Sequence, residues 1–188
     1  ADVLTQSNLS QWLSVYTISE TKTTKSVAIV MAGNIPLVGF HDFMSVLLTG
    51  HNVIAKLSSN DTVLLPLLSK YLIAVAPDFK NRIKITKEKL PSFDAVIATG
   101  SNNTALYFEH YFGKYPNIIR KNRNSIAILT GEETPSQMEA LADDIFRYFG
   151  LGCRNVSKIY VPKDYNWDVF FNAMFRWKEV INNHKYIN

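Results

Sequence analysis

The one cysteine of this 188-residue chain, Cys153, stands in the run Phe149-Gly150-Leu151-Gly152-Cys153-Arg154-Asn155. Glycines on its N-terminal side let the backbone expose the sulfur and let a substrate approach closely. Arg154 places positive charge next to it. A thiol so placed can act as a nucleophile; the plainer alternative is a small apolar filler at a helix end. Asn34, in Ala32-Gly33-Asn34-Ile35-Pro36, carries an amide that can donate to a developing oxyanion, or bond its own backbone as a turn residue. Lys56, in Ala55-Lys56-Leu57-Ser58-Ser59, can reach a ribose hydroxyl or a phosphate, or stand as a solvated strand-end lysine. Ser101 follows Gly100 at a helix start, where free amides and the helix dipole favour a phosphate and where a serine also serves as a simple cap. The four histidines, His41, His51, His110 and His184, show no metal-ligand spacing, so no metal site is expected.

These residues fall at the junctions of a regular alternation. Short apolar runs at 26–31, 52–56, 82–85, 94–98, 118–120, 125–129 and 157–161 read as strands. Amphipathic stretches at 8–16, 58–75, 101–110, 133–149 and 167–180 read as helices, with another running from Pro36 to Leu48. Ser58 or Ser59 is the expected cap of the 58–75 helix. Its apolar face is expected to include Val63, Leu64, Leu67, Leu68, Leu72 and Val75. Strand–helix alternation at this spacing predicts right-handed crossovers and an α/β, doubly wound, mainly parallel Rossmann-like sheet. Such sheets bind ligands beyond the carboxyl ends of their strands, where Gly33-Asn34, Lys56–Ser59 and Gly100-Ser101 are predicted to sit. Neither G-x-G-x-x-G nor a P-loop motif is present.

Hydrophobic residues make up 47% of the chain and the net charge is +4, which permits a packed core. The basic residues are scattered rather than striped, which argues against nucleic-acid binding. A lone cysteine forbids an internal disulfide and fits a reducing, cytoplasmic setting. The longest apolar stretch, 27–40, is broken by Gly33, Asn34 and Pro36 and is too short to span a bilayer. The chain opens on Ala1 and reaches Asn188 in a stretch that reads as helix. We therefore expect a piece of a longer protein.

Taken in order, the four motifs resemble those of aldehyde dehydrogenases. Gly33-Asn34-Ile35-Pro36 is similar to the family's W-N-x-P turn, whose asparagine forms the oxyanion hole. Ala55-Lys56-Leu57-Ser58-Ser59 is similar to its K-P-S-E segment, where the lysine binds the adenosine ribose. Thr99-Gly100-Ser101 is similar to the T-G-S motif under the cofactor pyrophosphate, and Cys153 through Val161 to the C-T-x-G-S-R-V-F-V nucleophile segment. The strings GNIPLVGFHDF and FGLGCRNVSKIYVP bring the chain nearer still to the LuxC-like acyl-CoA reductases, bacterial enzymes that supply fatty aldehyde for bioluminescence and also occur in bacteria that do not glow.

The resemblance implies a dinucleotide-binding domain over 1–152 and the start of a catalytic domain over 153–188. It implies Cys153 and Asn34 as catalytic residues, and Lys56, Ser58, Ser59, Gly100 and Ser101 as cofactor-binding ones. The implied reaction is reduction of a long-chain fatty acyl-CoA, or another acyl thioester, to aldehyde through a cysteine thioester. Two departures sharpen this. Ser59 stands where the dehydrogenases carry a glutamate that would repel a 2′-phosphate, which points to NADPH rather than NADH. The E-L-G-G segment, whose glutamate activates the deacylating water, is replaced by Ile118-Ile119-Arg120-Lys121-Asn122, which suits reduction rather than hydrolysis. Arg120, Lys121 and Arg123 are candidates for CoA phosphates or for a solvated loop. A protein that transfers the acyl group and a second copy of the chain are the partners the resemblance allows. The alternatives are a non-catalytic nucleotide-binding or scaffold domain, and a short-chain CoA-acylating aldehyde dehydrogenase. Because much of the relatives' catalytic domain follows the nucleophile, the chain alone is expected to be inactive or very weak.

Overall fold

The computed structural model describes residues 4–17, 23–184 and 186; the helical reading of the last residues to Asn188 lies outside them. Helix α1 (Gln6–Ser14) is capped by Thr5. Then β1 (Ser26–Val30), α2 (Phe40–Leu48), β2 (Asn52–Lys56), α3 (Leu64–Val75) and β3 (Ile83–Thr86) alternate, followed by β4 (Ala95–Thr99), α4 (Asn102–Phe112) and β5 (Asn117–Arg120). These strands form one sheet in the order β3-β2-β1-β4-β5, every pair parallel. The chain winds outward from β1 to β3, then returns to β4 beside β1 and continues to β5. This is the doubly wound arrangement, and it places a topological switch point between β1 and β4, where a crevice opens.

Alternation along each strand divides the core between the two faces of the sheet. Val27, Ile29, Val53 and Ala55 pack with Phe43, Val46 and Leu47 of α2 and Leu65 of α3. Ala28, Val96 and Ala98 face the other way, against Phe108 and Phe112 of α4. A second, two-stranded parallel sheet joins β6 (Ser125–Ile128) to β7 (Val156–Tyr160). Leu129 packs there with Met138 and Leu141 of α5 (Pro135–Phe146) and, more loosely, with Phe170 and Ala173 of α6 (Trp167–Met174).

Four elements differ from the sequence reading. Helix α2 begins at Phe40, not near Pro36, because Leu37 is left-handed (φ 59°) and gives its N–H to Asp61 Oδ2 at 2.7 Å. Helix α3 begins at Leu64 after Val63, with no side-chain cap. Ser58 instead takes the Asn60 N–H at 3.3 Å, closing a turn before the helix. Its buried residues are Leu65 and Ser69, with Leu72 packed against the core, whereas Val63, Leu64, Leu67, Leu68 and Val75 are exposed. A helix reading LLPLLSKYLIAV is apolar on nearly every side, so periodicity offers no single face and docking selects one. Helix α5 stops at Phe146; Arg147 is extended, and Tyr148, Phe149 and Gly150 are left-handed. The stretch 167–180 divides into α6 and a 3₁₀ segment, Phe175–Asn182.

Candidate active site

Strand β1 delivers the Gly33-Asn34 turn to the carboxyl edge of the sheet. A Cβ at Gly33 would collide with the Ser58 side chain, so glycine allows the turns after β1 and β2 to touch. Strand β4 ends at Thr99, and Ser101 caps α4 by accepting the Thr104 N–H at 3.1 Å. The helix start lies beside the switch point, and its remaining first-turn amides are of the kind that can receive an anion.

The nucleophile segment arrives from the other end of the chain. Cys153 is exposed, at a corner of a turn closed by the Asn155 N–H on the Gly152 carbonyl at 3.1 Å. Asn34 Nδ2 donates to the Leu151 carbonyl at 2.5 Å, across 117 residues of sequence. Asn34, Gly100, Ser101 and Cys153 thereby line one cavity of about 700 Å³. None of the residues lining it is a carboxylate. Cys153 also borders a smaller cavity of about 210 Å³ with Ile35, Tyr148 and Arg154.

Lys56 faces a different space. Its Nζ donates to the Glu88 carbonyl at 3.0 Å. With Val30, Lys89 and a wall of Phe93, Tyr107, Phe108 and Tyr111 it lines a cavity of about 800 Å³. Val30 at the end of β1 and the α4 side chains line this second cavity, whereas the first is lined by the turn after β1 and by Gly100 and Ser101 just before α4. Ser58 and Ser59 line neither. Of the basic residues at 120–123, Arg120 is bound to the buried Asp42 carboxylate at 2.5 Å and Lys121 to Glu109 at 2.8 Å, and both Lys121 and Arg123 line the first cavity.

Sequence reasoning passed over Asn155, which is 8% exposed. Its Nδ2 donates to the Asp144 carbonyl at 2.7 Å and the Arg147 carbonyl at 2.9 Å. The first is an orphan carbonyl of the last turn of α5 and the second belongs to the extended residue just past its end, so Asn155 caps the helix where it stops. The signal was available as an asparagine three residues after a glycine, a turn spacing. The Asp42–Arg120 pair, from α2 to the end of β5, had no signal in spacing. Among the described residues no group of three or more His, Cys, Asp or Glu side chains could hold a metal ion, and no helix is long and apolar enough to cross a membrane.

Solved structures of aldehyde dehydrogenases share this fold. Aldehyde dehydrogenase 21 of Physcomitrella patens superposes with a TM-score of 0.69 at 16% identity, over 81% of this chain and 34% of its own. The propionaldehyde dehydrogenase of the Clostridium phytofermentans fucose-utilisation microcompartment gives 0.65 at 8% identity, over 81% and 38%. The gamma-glutamyl-gamma-aminobutyraldehyde dehydrogenase of Burkholderia cenocepacia gives 0.62 at 18%, over 81% and 34%. The chain thus spans about a third of the length of these proteins. No curated protein matches it by sequence. The model of the acyl-CoA reductase (LuxC) family matches residues 5–170, a span that carries the Asn34 turn, the Gly100-Ser101 helix start and the Cys153 segment, and the chain belongs to that family.

Proposed function

We propose that this chain is the cofactor-binding and nucleophile-bearing part of an NADPH-dependent acyl-CoA reductase that converts a long-chain fatty acyl thioester to aldehyde. One observation carries the reading: Asn34 and Cys153 line the same cavity, and the Asn34 amide is hydrogen-bonded to the backbone of the nucleophile's own segment. In this scheme the Cys153 thiolate attacks the thioester carbonyl. A carbon–sulfur bond forms, and the carbonyl π pair moves onto oxygen, where the second Asn34 amide hydrogen and a backbone N–H stabilise it. The oxygen pair then returns, the bond to the CoA sulfur breaks, and CoA leaves as a thiolate that takes a proton. Fatty acyl-CoA or a protein that hands over an acyl group would serve equally, since both present a thioester.

The cofactor reading has its own support. The capped start of α4 offers free amides and a positive helix end for a pyrophosphate. The cavity where Lys56 and Lys89 stand among aromatic side chains is the one assigned in this reading to an adenosine and its phosphate, and Ser59, outside that lining, stands where the dehydrogenases carry a glutamate that would repel a 2′-phosphate. A bound nicotinamide cofactor would supply the hydride; the chain's own part would be to hold the acyl group on Cys153 and to recover its thiolate as aldehyde leaves. The first cavity is lined by no carboxylate, Asp144 lines only the smaller one beside Cys153, and Arg120 in the replaced segment is committed to Asp42. We keep residues 1–152 as the cofactor-binding division and 153–188 as the start of the acyl-transfer division; the small β6–β7 sheet straddles that boundary.

The test is mass spectrometry of the full-length protein after exposure to a long-chain acyl-CoA. An acyl adduct on Cys153 is expected, absent in Cys153→Ala together with reduction; full activity in that variant rejects the scheme. Turnover is expected to prefer NADPH, and Ser59→Glu to move the preference toward NADH. A strong NADH preference in the unaltered protein overturns the cofactor assignment.

A further inference from the structure

Asn155 spends every polar group it has on the nucleophile turn and its neighbours. Its side-chain Oδ1 accepts the Gly152 N–H at 2.7 Å, and its backbone N–H holds the Gly152 carbonyl at 3.1 Å. Nδ2 binds the end of α5 through Asp144 and Arg147, and its own carbonyl takes the Ser125 N–H at 3.0 Å, at the start of β6. An amide buried to this degree is costly unless satisfied; satisfied, it is a rigid clamp.

The clamp acts on one peptide plane in particular. The Gly152 carbonyl is turned inward to Asn155, and the Gly152–Cys153 peptide is trans. In a trans peptide the C=O and N–H point in opposite directions. The N–H of that same plane belongs to Cys153 and is therefore turned away from the clamp. It donates to no backbone carbonyl among the described residues. One residue earlier, the Leu151 carbonyl receives Asn34 Nδ2, so the side-chain donor and the free backbone donor meet the same short segment. Gly152 permits this arrangement: a Cβ there would lie 2.6 Å from Asn155 Oδ1.

We propose that Asn155 is a positioning residue: by fixing the Gly152–Cys153 peptide it holds the Cys153 N–H, the backbone donor of the scheme above, for the oxyanion formed on thioester attack. The inference rests on the reading of Cys153 as the nucleophile. It separates two reactions of the same sulfur. Attack on a thioester places charge on a carbonyl oxygen and needs both donors. Displacement of iodide from iodoacetamide forms a carbon–sulfur bond with iodide leaving, and no carbonyl oxygen gains charge.

The experiment measures both rates at Cys153 by intact mass in the full-length protein, using tetradecanoyl-CoA and iodoacetamide, with Cys153→Ala as the blank. In Asn155→Ala the acylation rate is expected to fall on the order of 10–10²-fold, while alkylation stays within about threefold of the unaltered protein. Gly152→Ala pushes on the clamp from its other side and is expected to give the same split; it carries the test if Asn155→Ala does not fold. Acylation unchanged in the folded variants overturns the proposal. So does a parallel loss of both reactions, which would make Asn155 a support of the turn alone. An unaltered protein that is alkylated at Cys153 but takes no acyl group removes the nucleophile reading itself, and this inference with it.

Discussion

A side-chain amide with one hydrogen committed still has another to give. Asn34 uses one Nδ2 hydrogen on the Leu151 carbonyl, which settles the orientation of its amide and keeps the donor end, not the oxygen, toward the nucleophile segment. Removing an oxyanion donor costs on the order of 10²–10³ in rate. Asn34→Ala in the full-length protein is therefore expected to lose acyl transfer by that factor while NADPH binding, read by fluorescence titration, stays unchanged. Loss of cofactor binding in step with activity would assign Asn34 to the cofactor instead. Glycine-flanked turns marked Asn34 and Cys153 as candidates in the sequence, and the structure brings the Asn34 amide to the Cys153 segment. Asn155 was not, because its work is done on backbone carbonyls that spacing does not reveal.

At the scale of elements, caps decide where the site-bearing segments begin. Thr134 and Gln137 form a capping box at the start of α5. Just before it, the Glu133 carboxylate accepts the Thr130 and Gly131 N–H groups. The Thr130 backbone hydrogen bond is the largest influence holding Glu133 below the usual carboxylate range. Because the folded-state value is depressed, the stabilising contribution is present above the ordinary glutamate pKa and is lost as pH falls through the lower native one. Exchange of the Thr130 and Gly131 amides is thus expected to stay protected through about pH 4.3 and to rise only in more acid solution; Glu133→Gln flattens that response. Thr134→Ala is expected to cost about 1 kcal/mol in chemical denaturation. Helix existence was readable throughout, but ends were not. Leu37 adopts a left-handed conformation in answer to Asp61, and α5 stops where Asn155 takes its carbonyls.

For the molecule as a whole, the sheet order is what makes a site possible. The return from β3 to β4 parts the chain at the switch point, and the turns after β1 and β4 diverge there to admit a ligand. The core beneath is selective about which side of each helix it accepts. Leu65→Ala, at a side chain 1% exposed, is expected to destabilise by about 2–5 kcal/mol. Leu67→Ala, 60% exposed, should stay within about 0.5 kcal/mol. Equal effects in urea titrations would show that α3 is docked on another side.

Local chemistry along the chain was enough to establish the alternation of strands and helices and the parallel doubly wound class, and to offer Asn34 and Cys153 as candidates whose proposed roles rest on the family resemblance. Each of those depends on neighbours within a few residues: apolar runs, glycine turns and capping positions. Only the tertiary structure decided that Asn34 reaches the Cys153 segment, that Lys56 looks into a separate aromatic-walled cavity, and that α3 buries Leu65 rather than Leu67. Those outcomes turn on hydrogen bonds near 3 Å and on side-chain interlocking between segments far apart in sequence. Such contacts exist only once the elements are packed.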